Sequence, residues 1–211
     1  EGAGLTEVDI KQGVTYIGDG AFRDSSLQEM SIGRSVAYLG SYAFSGVPLL
    51  SITMDLVPDV WDFTTSGRDP FYGICSTLIS AEINSSEIPD HAFDGCSKLT
   101  SLTLGNSVIA IGVAAFSGLD ALEELVIPSS VTRLGSSSFT GAASLKELII
   151  PDSVTVLGSS AFSGASKLES LTLGNGITSL ENYVFKGSGS LSSVVIPESV
   201  IAIGYEAFKD S

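Results

Sequence analysis

One residue type recurs along this chain at a nearly fixed interval. Phenylalanine stands at Phe22, Phe44, Phe71, Phe93, Phe116, Phe139, Phe162, Phe185 and Phe208, and the spacings are 22, 27, 22 and then 23 five times. A single globular core gives no reason to space one residue type so evenly. A stack of similar coils does, because each coil sets its Phe directly over the last one. The spacing predicts one continuous solenoid domain over residues 1–211.

A second signal runs in phase with the first. Leu-x-x-Leu-x-Ile appears as Leu99/Leu102/Leu104, Leu122/Leu125/Ile127, Leu145/Leu148/Ile150, Leu168/Leu171/Leu173 and Leu191/Val194/Ile196. Earlier copies are Leu5/Val8/Ile10, Leu27/Met30/Ile32, Leu49/Ile52/Met54 and Leu78/Ala81/Ile83. The repeats are numbered one to nine from these leading residues. The period-2 step at the end of each copy predicts a short strand with one buried face.

A turn of Pro-x-Ser (Pro128, Pro151, Pro197) or Gly-x-x (Gly33, Gly105, Gly174) follows. Pro at a strand end cannot extend the ladder. Val-x-x-Leu/Ile-Gly then predicts a second short extended segment on the opposite side, as in Val154/Leu157/Gly158. Ala161-Phe162-Ser163-Gly164 and its equivalents predict one helical or 3-10 turn stopped by Gly. The fold class is a β-rich, right-handed, leucine-rich solenoid of about nine coils, its first strands on the concave side.

Composition agrees and narrows the function. The chain is 44% hydrophobic and 16% charged, with 23 Gly suited to many turns. No apolar run approaches the ~18 residues of a membrane span, so this segment is not expected to insert in a membrane. Lys+Arg is 10 against Asp+Glu 24, a net charge of -14. That field repels phosphate backbones, which argues against nucleic acid as a partner. No signal peptide is visible, and the chain enters the repeat at Leu5 and stops at Ser211 in mid-repeat, as an excised fragment would.

The motif Val-Thr-x-Leu-Gly-Ser-Ser-x-Phe-x-Gly-Ala-x-x-Leu, with Ile-Pro-x-Ser-Val between copies, resembles the BspA-like leucine-rich repeat family from Leu5 to Phe208. The resemblance implies a curved strand surface that binds proteins, no cofactor, and a secreted or surface location in host-associated bacteria. Some members are taken to be adhesins for host matrix proteins. Cys96 falls where that family often carries a buried cysteine after Gly. Cys75 and Cys96 each stand three residues before a leading Leu, so they are stacked neighbours whose spacing permits a disulfide. The apolar setting and the family's habit favour reduced, buried thiols.

Two places depart from the pattern. Residues 55–70 form an irregular insert holding the single tryptophan, Trp61, with Phe63 and Arg68. Insertions in solenoids loop out of one face, and Trp and Arg are enriched at binding hot spots. A drifted repeat that uses Trp61 in a core slot is the competing reading. Its four Asp (55, 59, 62, 69) lack the order of a calcium loop.

On the strand face, the last outward slot reads Asp9, Ser31, Thr53, Glu82, Thr103, Val126, Ile149, Thr172 and Val195. Val126 and Ile149 would make a small exposed aliphatic patch or an ordinary β-branched surface. His91, the single histidine, lies at a variable position with no fixed nucleophile or carboxylate partner, so no enzyme is expected. A monomeric protein-binding module is the leading reading, and a stalk that displays another domain is the alternative.

Overall fold

The computed structural model describes residues 4–57, 60, 71 and 73–211. It is a parallel β-solenoid. Repeats one to five each open with a four-residue strand, Glu7–Ile10, Glu29–Ile32, Ser51–Met54, Ser80–Ile83 and Ser101–Leu104, paired in one five-stranded sheet. The register is strict: Ile10, Ile32, Met54, Ile83 and Leu104 lie side by side. The second and fourth residues of each strand face inward, as the period-2 pattern requires. The Val-x-x-Leu segments form two-residue strands on another side, the longest stack being Glu87–Ile88, Ala110–Ile111, Arg133–Leu134 and Val156–Leu157.

The phenylalanines stack in one column through the core. Phe116, Phe139 and Phe162 have no exposed surface. Their ring centroids stand 5.2 and 5.3 Å apart. The segment carrying each Phe differs from the expected helical turn, although a 3-10 helix does span Ile74–Ser76. Elsewhere it is a run of turns bounded by two left-handed residues. Around Phe139 these are Ser137 (φ 56) and Gly141 (φ 80). The N–H groups of Ser137, Phe139 and Gly141 donate to the carbonyls of Ser159, Ala161 and Ser163 in the next coil at 2.9, 2.8 and 2.8 Å. Between them, Ser138, Thr140 and Ala142 close turns within their own coil. A helix would keep every such bond to itself and leave none for its neighbour.

That ladder explains a cost the sequence hides. The position two before Phe is left-handed even when it holds Tyr42, His91, Ala114, Ser160, Tyr183 or Glu206. An L-residue there gives up roughly 1–2 kcal/mol, and an inter-coil bond from its own N–H holds His91, Ala114, Ser160 and Tyr183 in place. The Gly that ends Val-x-x-Leu has another reason. A Cβ on Gly158 would lie 2.4 Å from the Ser136 nitrogen of the preceding coil, so the coils touch backbone to backbone at this corner.

Cys75 and Cys96 form a disulfide, with Cα atoms 4.1 Å apart, which corrects the expectation of reduced thiols. Both stand three residues before a buried Leu (Leu78, Leu99), so stacking brings them together across one coil. The apolar setting that was read as protecting two thiols instead encloses the bond: Cys96 is fully buried.

Two measurements check this core. Phe139→Ala should lower stability by about 3–5 kcal/mol, as large buried aromatics do. Its neighbour Ser138 is fully buried with an unpaired hydroxyl, where Ala21, Ala43, Ala92, Ala115, Ala161 and Ala207 stand in other repeats. Ser138→Ala should therefore raise stability by about 1 kcal/mol. Denaturant unfolding of both variants reads the two signs. For the cysteines, denatured unreduced protein should show no reactive thiol and reduced protein two. Reduction should cost stability by roughly 3 kcal/mol.

Candidate functional site

The strand face presents two outward columns. The first holds Glu7, Glu29, Ser51, Ser80, Ser101, Glu124, Glu147, Ser170 and Ser193; the second runs from Asp9 to Val195. Val126 and Ile149 sit in the second column as expected and are 77% and 54% exposed. Val195 is 84% exposed in repeat nine. Trp61, Phe63 and Arg68 lie outside the described residues.

The ladder along this face is not continuous. The five-stranded sheet ends at Ser101–Leu104; Glu147–Ile150 and Ser170–Leu173 pair again; residues 122–128 and 191–197 form no strand. The residue after each strand differs between the paired and unpaired cases. Where Gly33, Asp55, Asn84, Gly105 or Gly174 follows, the strand pairs with the repeat before it. Asp55, Asn84 and Gly105 donate their N–H to the carbonyls of Ile32, Met54 and Ile83 at 2.9, 2.7 and 2.8 Å. Where Pro128, Pro151 or Pro197 follows, that donor does not exist and the segment does not pair with the repeat before it. Three seams result, between repeats five and six, six and seven, and eight and nine.

The inward side chains register the seams. Leu102, Leu104, Leu125, Ile127, Leu171 and Leu173, each bordering a seam on its carboxy-terminal side, are 5–9% exposed. Ile52, Met54, Ala81, Ile83, Leu148 and Ile150, sealed by the next strand, are 0–1% exposed. Clefts open at two of these seams. One of about 510 Å³ between repeats six and seven is lined by Glu123, Glu124, Val126, Lys146, Glu147 and Ile149. The other, about 500 Å³, lies between repeats eight and nine beside Thr172, Val195 and Pro197.

The electrostatics of the first cleft are lopsided. Lys146 Nζ donates to Glu123 Oε2 at 2.6 Å. That hydrogen bond holds the Glu123 carboxyl below the usual carboxylate range and raises the Lys146 ammonium. Glu124 and Glu147 make no ion pair among the described residues and stand in the same outward column one coil apart. The cleft thus has an apolar floor edge and a net acidic rim.

His91 Nδ1 lies 3.1 Å from Asp94 Oδ2, both side chains exposed, a partner that spacing alone did not reveal. The rings of Tyr16 and Tyr38 stack 4.6 Å apart, exposed on the side of the two-residue strands. Their shared place just before Ile17 and Leu39 is the signal that sequence reading passed over. Among the described residues, no group of three or more His, Cys, Asp or Glu could hold a metal ion, and no helix is long and apolar enough to cross a membrane.

This geometry finds its likenesses among bacterial repeat proteins. A family model described as BspA type leucine rich repeat region (six copies) matches residues 1–86 and 86–211. No curated protein matches the chain. Among solved structures, a leucine-rich repeat protein from Bacteroides ovatus is 25% identical over 98% of this chain, with a TM-score of 0.66. This chain spans 64% of that protein's length. A leucine-rich repeat protein from T. pallidum (22% identity, 94% of this chain, 72% of that one, TM-score 0.54) shares the fold. So does one from Eubacterium ventriosum (19% identity, 98% and 77%, TM-score 0.54). With the family model matching both halves, the chain belongs to the BspA-type leucine-rich repeat family.

Proposed function

We propose that this chain is a non-enzymatic protein-binding module that works outside the cytoplasm, engaging a host or matrix protein as a monomer through the strand face of repeats six and seven. One observation carries the reading. The aliphatic residues Val126 and Ile149 replace the Ser, Thr, Asp or Glu of repeats one to five, and they flank a cleft at an open seam. Exposed apolar residues rimmed by polar ones are the mark of a contact surface. A stalk with no ligand needs no such departure in its outward column.

The location rests on the family and on the disulfide. A bond between Cys75 and Cys96 persists in oxidising surroundings and is rare in reducing cytosol. The acidity of the chain suits basic partner surfaces. Trp61, Phe63 and Arg68 of the 55–70 insert are proposed as an auxiliary contact on the strength of their residue types.

Binding of immobilised extracellular matrix glycoproteins tests the module. Wild type should bind saturably, and the double variant Val126→Asp with Ile149→Asp should bind at least about tenfold more weakly, a loss of about 1.4 kcal/mol. Both substitutions are on exposed positions, so the melting temperature should hold. Equal binding by the two proteins would move the site elsewhere, and no binding by either would favour the stalk. Separately, Trp61→Ala should leave the melting temperature nearly unchanged; a loss of about 3–5 kcal/mol would put Trp61 in the core and remove it from the contact surface.

A further inference from the structure

The seam between repeats six and seven offers more than an apolar edge. Among the described residues, no hydrogen bond involves a backbone N–H or C=O of Glu124, Leu125, Val126 or Ile127. In the closed part of the sheet, the equivalent groups of Ser51–Met54 are paired on both sides. Repeat six is therefore a strand-length segment with an unpaired main chain along both edges. On the side of repeat seven, Pro151 removes one of the missing bonds: it has no N–H to give the Ile127 carbonyl, whereas Gly105 gives its own to Ile83.

The size of the opening limits what can occupy it. Beside the seam, the Phe139 and Phe162 rings remain 5.3 Å apart, and Gly141 still donates to Ser163. The coils are held at about one strand spacing of ~4.8 Å, so a whole strand cannot slide between them. An occupant must lie on the strand face and reach into the seam with side chains and part of its backbone. Its chemistry follows from the lining. Glu123, Glu124 and Glu147 set three carboxylates on the rim against one ammonium, Lys146, which pairs with Glu123 and also acts on Glu124. Val126 and Ile149 stand two residues beyond Glu124 and Glu147 along the same outward rows. A ligand running along the strands meets first carboxylates, then aliphatic surface roughly 6.6 Å on, and carbonyl oxygens within the seam. Lysine supplies three donors on a long flexible stem and no acceptor, which matches carboxylates and unpaired carbonyls together.

We propose that the proline-opened seam between repeats six and seven is a docking groove for an extended basic peptide segment with Lys-x-aliphatic spacing. The lysine sits over Glu124 and Glu147, and the aliphatic side chain sits over Val126 and Ile149. This rests on the reading of the strand face as a protein-binding surface and names the kind of segment it takes. The acidic rim turns away the same segment with glutamate in place of lysine.

The probe is a synthetic peptide, acetyl-Thr-Lys-Thr-Val-Thr-Lys-Thr-amide, titrated into the isotope-labelled chain and followed by amide shifts. Its control replaces both Lys by Glu. The variant is Pro151→Gly, which restores the donor and copies the Gly that stands at this place in repeats five and eight. Hydrogen exchange of the free proteins is measured first. Amides of residues 124–127 should exchange rapidly in wild type, and some should become protected in Pro151→Gly. The lysine peptide should then cause saturable shifts at Val126 and Ile149, with binding at least about tenfold weaker in Pro151→Gly and absent for the glutamate peptide. Protected amides in free wild type would overturn the seam. No saturable shift, equal binding by Pro151→Gly, or equal binding of the glutamate peptide would overturn the docking groove. Matrix-protein binding that persists when the peptide fails would leave the module standing and dismiss only this groove.

Discussion

Everything else in this molecule depends on the turn that carries the phenylalanine. There the stacking of rings and the inter-coil hydrogen bonds act on the same few residues. The rings of Phe116 and Phe139 lie 5.2 Å apart. On either side of that pair, Ala114 and Gly118 donate to Ser136 and Thr140 in the next coil. The column of rings excludes water from these bonds, and the bonds fix the rotation of one coil over the next. No coil could bury its own apolar surface, so this contact is repeated rather than shared with a remote core. It also keeps residues such as His91 and Tyr183 in left-handed backbone that their side chains disfavour.

Because the coil spacing is set on that side, the strand side can lose hydrogen bonds without the stack coming apart. Three prolines make use of this freedom. In a sheet that carried the whole stability of a fold, each Pro128, Pro151 or Pro197 would be a defect. Here it opens a local seam while the phenylalanine ladder continues past it. Apolar outward residues and proline occur together: Val126, Ile149 and Val195 belong to the three repeats whose strands end in Pro. The two clefts on the strand face lie at those seams. Surface chemistry and backbone pairing thus change in step, which is how a repeat array acquires one place unlike the rest.

The irregular third coil meets a different constraint. The chain must return from the insert into register with repeat four, and the strand Ser80–Ile83 does pair residue for residue with Ser51–Met54. The disulfide lies just before that strand, joining the 3-10 turn Ile74–Ser76 to the next regular coil. It restricts the unfolded chain across this stretch and holds the return path in the folded one. The same two cysteines in reducing surroundings would leave the re-entry to packing by Phe71, Ile74 and Leu78 and to the Thr77 hydroxyl bonded to the Leu49 carbonyl.

The spacing of Phe and the in-phase Leu-x-x-Leu-x-Ile determined the parallel stack, its register and its buried residues, because a side chain repeated every 23 residues can be satisfied only by the same neighbour one coil away. The same reasoning placed Val126 and Ile149 outward, since strand side chains alternate. Tertiary structure decided what depends on atoms brought together across coils. Whether Cys75 and Cys96 joined turned on a Cα separation of 4.1 Å, which spacing allowed but did not impose. The turn around Phe was legible as a turn, yet its left-handed residues were not, because the ladder bond that holds them tolerates Tyr, His, Ser or Ala alike. The prolines were visible as strand ends. That each would unpair its segment from the repeat before it, and that two of the three seams would open clefts beside the aliphatic residues, followed only once the donors on one coil were set against the acceptors on the next.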